Sequence, residues 1–299
     1  MNRAAITSSR AWTWLRLTAA AAILVVLAVR VGAEPFLDGV RRLDATVVLV
    51  GLVVTAGTTA CCAWRWSLLS ERLGVAVPLG TAYRRYYRSQ LVNATLPAGV
   101  LGDLHRGVDH GRRTGAMGRG LRSVLWDRVS GQAVQAGLAV AAVLLLPAPV
   151  RADVGIPVLG AAAAAVGLTV ALPRRARQAA RAELDTLRPV LPRVAVSSAL
   201  AALGHLAVFV VVARSVGVAT PLVELAALGL VVLLASALPL SIAGWGPREG
   251  AAAWLFAEAG LGAATGVSVA VAFGVVSLVA TLPGVVTLTP ERTREVVHA

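Results

Sequence analysis

Lysine is missing altogether: all 28 basic residues are arginine. Charge of either sign is scarce, at 14% of 299 residues, where soluble domains carry roughly 25%. With 57% hydrophobic residues, the chain has more apolar surface than one soluble core of this length can hide. A soluble globular protein is therefore excluded. The two cysteines, Cys61 and Cys62, are neighbours, and on a helix they point about 100° apart, a poor geometry for a disulfide. They read as packing residues, and no disulfide scaffold is available. No His-Glu-x-x-His zinc site, nucleophile elbow, P-loop or metal-spaced Cys/His cluster occurs. Asp38-Gly39 begins like an alcohol phosphotransferase motif, but the arginine spacing and paired aspartates that should follow are missing. No cofactor and no metal are expected, and any transport would be passive or driven by an ion or proton gradient.

What the chain does have is long apolar runs. Leu15–Val31, Ala45–Ala63, Gly131–Leu146, Gly155–Leu172, Val194–Ala213, Pro221–Leu238 and Gly266–Leu288 approach or exceed the roughly 18 residues that cross a bilayer as a helix. A shorter run covers Gly250–Gly262. The runs are continuous rather than alternating, so they predict helices and not barrel strands. The expected fold is an all-α, polytopic integral membrane bundle forming one domain over residues 1–299, with about eight spans.

The net charge of +13 would suggest nucleic acid in a soluble chain. Here it follows the positive-inside rule, and no nucleic-acid partner is expected. Arg3 and Arg10 precede the first run, eleven arginines fall between Arg65 and Arg128, and six between Arg174 and Arg193. The connection holding Glu34, Asp38 and Asp44 is slightly acidic. This alternation places both termini and both arginine-rich connections in the cytoplasm of a multi-pass cell-membrane protein. An even span count follows, which makes 250–262 a span. A second reading of the start is a signal peptide cleaved after Ala33.

The informative stretches are those that interrupt the apolar pattern. Within 91–106, Pro97, Gly99 and Gly102 forbid a continuous helix, accompanied by Asn93, Asp103 and Arg106. Within 238–250, Pro239, Gly244, Gly246 and Pro247 break the chain between two apolar runs, and the unit carries Ser241 and ends in Arg248-Glu249. Each is Leu-Pro, a small-residue turn, then an arginine and a carboxylate. Paired broken segments in two halves of a chain point to a transport site built from an inverted repeat. Ionised side chains near the membrane are costly unless paired or wetted, so they mark function.

These motifs resemble the membrane domain of the lysylphosphatidylglycerol synthase/flippase proteins, also called flippase-like or of the multiple peptide resistance factor type. The family's Asn followed by Leu-Pro-x-Gly-x-x-Gly-Asp-x-x-Arg is matched by Asn93, Leu96, Pro97, Gly99, Gly102, Asp103 and Arg106. Its Glu-Arg pair is Asp127-Arg128 here, with the charge kept and the reach shortened. Its later Leu-Pro-x-Ser-x-x-Gly-x-Gly-x-Arg-Glu is matched by Leu238, Pro239, Ser241, Gly244, Gly246, Arg248 and Glu249. Arg65-Trp66 with Leu68-Leu69 fits the family's entry to the first cytoplasmic connection. The resemblance implies a lipid-translocating module working on aminoacylated phospholipid or a polyprenyl-linked lipid. Aminoacyl transfer, which belongs to a soluble domain after the membrane part, is not expected with only Thr289–Ala299 following the last run.

Independently of the resemblance, a headgroup crossing an apolar core needs a polar path and cationic donors for its phosphate. Arg106 and Arg248 are the expected headgroup contacts, with Asp103 and Glu249 holding them. Asn93, Pro97, Gly99, Gly102, Arg128, Ser241, Gly244 and Gly246 complete the candidate substrate site. His205, in mid-span, reads as a helix–helix hydrogen-bonding residue or a proton relay. Trp12, Trp14, Trp64, Trp66 and Trp126 read as interfacial anchors. The leading function is a flippase for an anionic or lipid-linked phosphate headgroup, with membrane lipids and a lipid-modifying or sugar-transfer enzyme encoded elsewhere as its expected partners. The alternatives are a membrane enzyme on lipid-linked substrates and a non-transporting partner of an envelope glycosyltransferase.

Overall fold

The computed structural model describes residues 34–96, 99–144, 150–156, 173–236 and 245–288, with isolated positions at 18, 25, 26, 29–32, 146, 148 and 160. Pro97, Ser241 and Gly244, most of the expected spans at 15–31 and 155–172, and the boundary at Ala33 lie outside them. Most of the described residues are helical, as the unbroken apolar runs require.

A short helix, α1 (Glu34–Arg41), precedes α2 (Ala45–Arg72), whose first turn is capped by Asp44 accepting from the Val47 amide at 2.8 Å. Next come α3 (Leu79–Thr95) and α4 (Leu101–Arg113), which pack against each other on either side of the first motif's break. Leu96 leaves α3 with extended backbone, as a residue before proline must. The break is narrower than the sequence suggested. Asn93 precedes it on α3, while Asp103 and Arg106 lie inside α4.

After α5 (Met117–Val143), the helix α6 (Arg174–Leu187) runs through a 3-10 turn, Arg188–Val190, into α7 (Leu191–Val216). α7 stops at Gly217, whose φ of +100° suits glycine alone. Then follow α8 (Leu222–Ser236), α9 (Pro247–Glu258), α10 (Ala263–Thr281) and a terminal 3-10 segment, Leu282–Leu288. The second motif's Pro-Arg-Glu is thus the first turn of α9 and not the connection before it.

Among the described residues, three stretches are long and apolar enough to cross a membrane: Ala45–Arg72, Arg174–Val216 and Ala263–Thr287. Between a third and about half of each apolar window is buried. The remainder is a surface of bare aliphatic side chains, such as Leu49 and Val53 on α2 and Val196 and Leu200 on α7. In water such rows would be a liability; against lipid they are the matching surface. α9 has 12 residues, roughly 18 Å at 1.5 Å per residue, against a hydrocarbon core of about 30 Å.

The principal core joins α5, α7, α8, α9 and α10 around Phe209, Leu228, Phe256 and Phe273. The rings of Phe209 and Phe273 are tilted at 5.8 Å. α2 packs along α7 and contacts α3, α5 and α10 as well, so it stands at the centre of the bundle.

Candidate functional site

Two carboxylates, each at the third position of a helix that follows a break, organise the site. Asp103 holds that position in α4 and Glu249 in α9. A carboxylate there faces the unpaired amides and positive dipole end of the helix. Glu249 uses it directly: its Oε2 accepts the Gly246 amide at 2.6 Å. For α4 the capping oxygen comes from the preceding helix instead, with Asn93 Oδ1 accepting the Gly102 amide at 2.8 Å. Gly102 is required here, since a Cβ at that position would collide with the Ser89 carbonyl.

Asp103 is filled on both oxygens. Its Oδ1 accepts from Ser89 Oγ at 2.8 Å and from Arg106 Nη2 at 3.0 Å. Its Oδ2 accepts from Asn93 Nδ2 at 2.9 Å and pairs with Arg128 Nε at 3.1 Å. Arg106 reaches on to Asp127 Oδ2 at 2.8 Å, and Asp127 Oδ1 receives Arg65 Nε at 2.7 Å. Tyr86 closes the ring, its Oη accepting from Arg65 at 3.2 Å and donating to Asp127 at 3.1 Å. Arg65 also donates to Ser198 on α7 at 3.1 Å. Five helices therefore meet in one ionic network of three guanidiniums and two carboxylates, with one positive charge in excess.

The second motif forms a smaller unit. Arg248 Nε donates to Glu249 Oε1 at 2.9 Å, and Glu249 is completely buried. The guanidinium lies 5.1 Å from the Trp245 ring centre and 5.8 Å from that of Phe273. Gly274 on α10 lets it pass; any side chain there would occupy the guanidinium's place.

A cavity of about 390 Å³ brings the two motifs together. Asn93, Gly99 and Asp103 of the first motif and Arg248 of the second contribute to its wall, with Arg65 and Arg128. Arg106 does not. It is 2% exposed, sandwiched between the rings of Trp66 and Tyr86 at 4.5 and 4.1 Å, and lies under the wall rather than in it. Its Nε and Nη1 have no hydrogen-bond partner among the described residues, and the flanking ring faces supply cation–π attraction in their place. Glu249 and Gly246 stand behind Arg248, and Gly102 lies at the α3–α4 contact.

Sequence reasoning passed over several cavity residues. In the sequence Arg65 is legible only with Trp66 as part of the entry to the first cytoplasmic connection, with no role in the site. Gln132 and Gln135 extend the face of α5 that begins at Arg128, at helical spacing i, i+4 and i+7. That polar stripe inside an otherwise apolar run was the available signal. His205, on α7, also lines the cavity; its Nδ1 donates to the Ala201 carbonyl at 2.7 Å.

No curated protein and no solved structure was found to match the chain. The family model for the transmembrane region of lysylphosphatidylglycerol synthase matches residues 13–284. That span takes in every helix and both motifs that wall the cavity, so the chain belongs to this family of membrane domains associated with lipid modification or flipping.

Proposed function

We propose that the protein is a lipid translocase that passes a phosphate-bearing headgroup through the cavity between α2, α3, α5, α7 and α10. The observation carrying this is the convergence of both broken motifs on one polar cavity of about 390 Å³, a size typical of small-molecule sites. Water stripped from a headgroup must be replaced by fixed donors and acceptors, and the wall offers Arg65, Arg128 and Arg248 for a phosphate. No bond has to be made or broken for this task.

The two helix pairs α3–α4 and α8–α9 are similarly built, each with a carboxylate at the third position of its second helix. In this proposal they are hairpins that enter the bilayer from opposite faces without crossing it, an arrangement supported by the shortness of α9. Replacing two short crossings by a hairpin keeps the span count even, and both termini remain cytoplasmic in the cell membrane.

The test is headgroup translocation in reconstituted vesicles, with expression level recorded alongside. Arg248→Ala alone leaves Glu249 buried without its partner and should reduce the yield of folded protein. The double change Arg248→Gln with Glu249→Gln removes both charges, so folding should recover while translocation stays lost. Wild-type flux in the double variant would end the translocase reading for this site.

A further inference from the structure

We propose that the groove between α3 and α4 is a second phosphate site, separate from the cavity, which holds a phospholipid of the surrounding bilayer by its headgroup phosphate. On α3 the groove is lined by Arg85, Arg88 and Val92, and on α4 by His105, Arg106 and Asp109. On each helix these positions recur at three- and four-residue steps and so form one face. Among the described residues no other helix contributes, which sets the groove on the outside of the bundle, whereas the cavity is walled by five helices. Arg106 forms the floor and stands between the two. The site does not depend on any transport through the cavity.

The groove has cations to spare. Arg85 lies 3.8 Å from Asp109 and 3.5 Å from His110, and Asp109 is shared with Arg113 at 3.1 Å. Arg88 and His105 make no hydrogen bond or ion pair among the described residues. His105 is exposed, while Arg88 is half-buried in the groove rather than extended into solvent. A guanidinium at a lipid boundary is costly when nothing pairs with it. With Asp109 already committed, the fitting counter-charge is one brought from outside the chain. Neither Arg88 nor His105 is among the positions matched to the family's motifs.

Shape sets how a phosphate would sit. The enclosed part of the groove is about 20 Å³, room for a single oxygen atom. One phosphate oxygen enters between the helices and the others stay at the rim, where the Arg88 fork and a His105 ring nitrogen can donate to them.

The surroundings point to a lipid as the source of that phosphate. Leu101 and Leu104 on α4 are 41% and 55% exposed. Leu104 adjoins His105, and Leu101 lies one turn from it on the same face. A free phosphate would use the arginine and leave both leucines bare. A phospholipid lays its acyl chains on the leucines while its phosphate meets Arg88, so one molecule covers both ends.

The test is photocrosslinking of the full chain in neutral detergent, with p-benzoylphenylalanine in place of Leu104. Phosphatidylglycerol and diacylglycerol of the same chain lengths are the probes, each below saturation. Phosphatidylglycerol should crosslink about tenfold more than diacylglycerol, the weight of one charge-assisted hydrogen bond. Arg88→Gln with His105→Gln should bring it down to the diacylglycerol level. Because neither side chain has a partner in the fold, that variant should melt at the wild-type temperature. Diacylglycerol crosslinking as strongly as phosphatidylglycerol would show apolar contact only and overturn the inference. Unchanged crosslinking in the folded double variant would do the same. Displacement of the lipid by glycerol phosphate at comparable concentration would show a free-phosphate site and overturn it too. The double change Arg248→Gln with Glu249→Gln, which tests the cavity, should leave the crosslink intact. Its loss there would show that groove and cavity are one site, and so end the proposal of a second one.

Discussion

Arg65 on α2 and Asp127 on α5 meet at 2.7 Å with side chains 6% and 0% exposed, and the two helices are held at this distance by a pair that water barely reaches. Coulomb attraction must offset the loss of two hydration shells, and it does so here because Tyr86 and Ser198 satisfy the remaining atoms.

Removing one partner should therefore be far worse than removing both. Asp127→Asn or Arg65→Met alone is expected to cost about 3–5 kcal/mol, as for other buried pairs broken from one side. Arg65→Met with Asp127→Leu should recover a large part of that. A double-mutant cycle on thermal unfolding in detergent measures the coupling. Additive losses would show that the contact does not hold the helices.

Asn93 serves two elements at once, capping α4 through Gly102 and holding Asp103 from the far side of the break. Asn93→Ala should cost about 1–2 kcal/mol through the lost cap alone. Asn93→Asp keeps a capping oxygen but sets a second carboxylate against Asp103, so it should be no better than alanine. An aspartate variant as stable as wild type would contradict this.

His110 gives a pH dependence whose sign can be worked out. Its Nε2 lies 2.7 Å from the Val75 carbonyl and so donates to it, while Nδ1 faces Arg85 at 3.5 Å. Burial, with Arg85 and Arg106 nearby, lowers its pKa below the ordinary histidine value, against the opposing effects of the Val75 hydrogen bond and Asp109. The unfolded chain thus binds the proton more readily. Stability is complete above the unfolded value of about 6.5 and is lost as pH falls through the folded value, by at most about 1.4 kcal/mol per pH unit. Melting temperatures between pH 7.5 and 5.5 should fall for the wild type and much less for His110→Gln. A flat wild-type profile would refute the assignment.

Orientation is open to a direct chemical test in a cysteine-free background. Arg113→Cys, at the end of α4, and Arg181→Cys, on α6, should both resist an impermeant thiol reagent added to intact cells. Modification of either from outside would reverse the proposed topology.

Much of this architecture was legible in the sequence for a physical reason: lipid forces every backbone group into a helix, so apolar runs are the helices. The positions of Asp103, Arg248 and Glu249 were legible too, because charge after a helix break has few bland explanations. The ranking of the arginines was not. Arg106 and Arg248 look alike as motif ends, yet only the packing of Trp66 and Tyr86 buries the first beneath the wall. Arg65 lies 62 residues from its partner, a distance that no local spacing reveals. The helix ends were uncertain for a related reason. Asn93 looks like part of the break until its side chain is seen capping the helix beyond it.

Arg128 differs from the other arginines of the network in a way that bears on turnover. Its side chain is 38% exposed, and the carboxylate it pairs with keeps three other donors when it leaves. Arg65 and Arg106 have no such freedom, since their departure would strip a buried aspartate. In the proposed translocase an arriving phosphate would therefore meet one cation that can change partners while Asp103 keeps its other donors. Binding of this kind would be an exchange at Arg128 of one anion for another, so capture would be shallow and release fast. A carrier gains from that: the headgroup is held long enough to lose its water and too weakly to be kept.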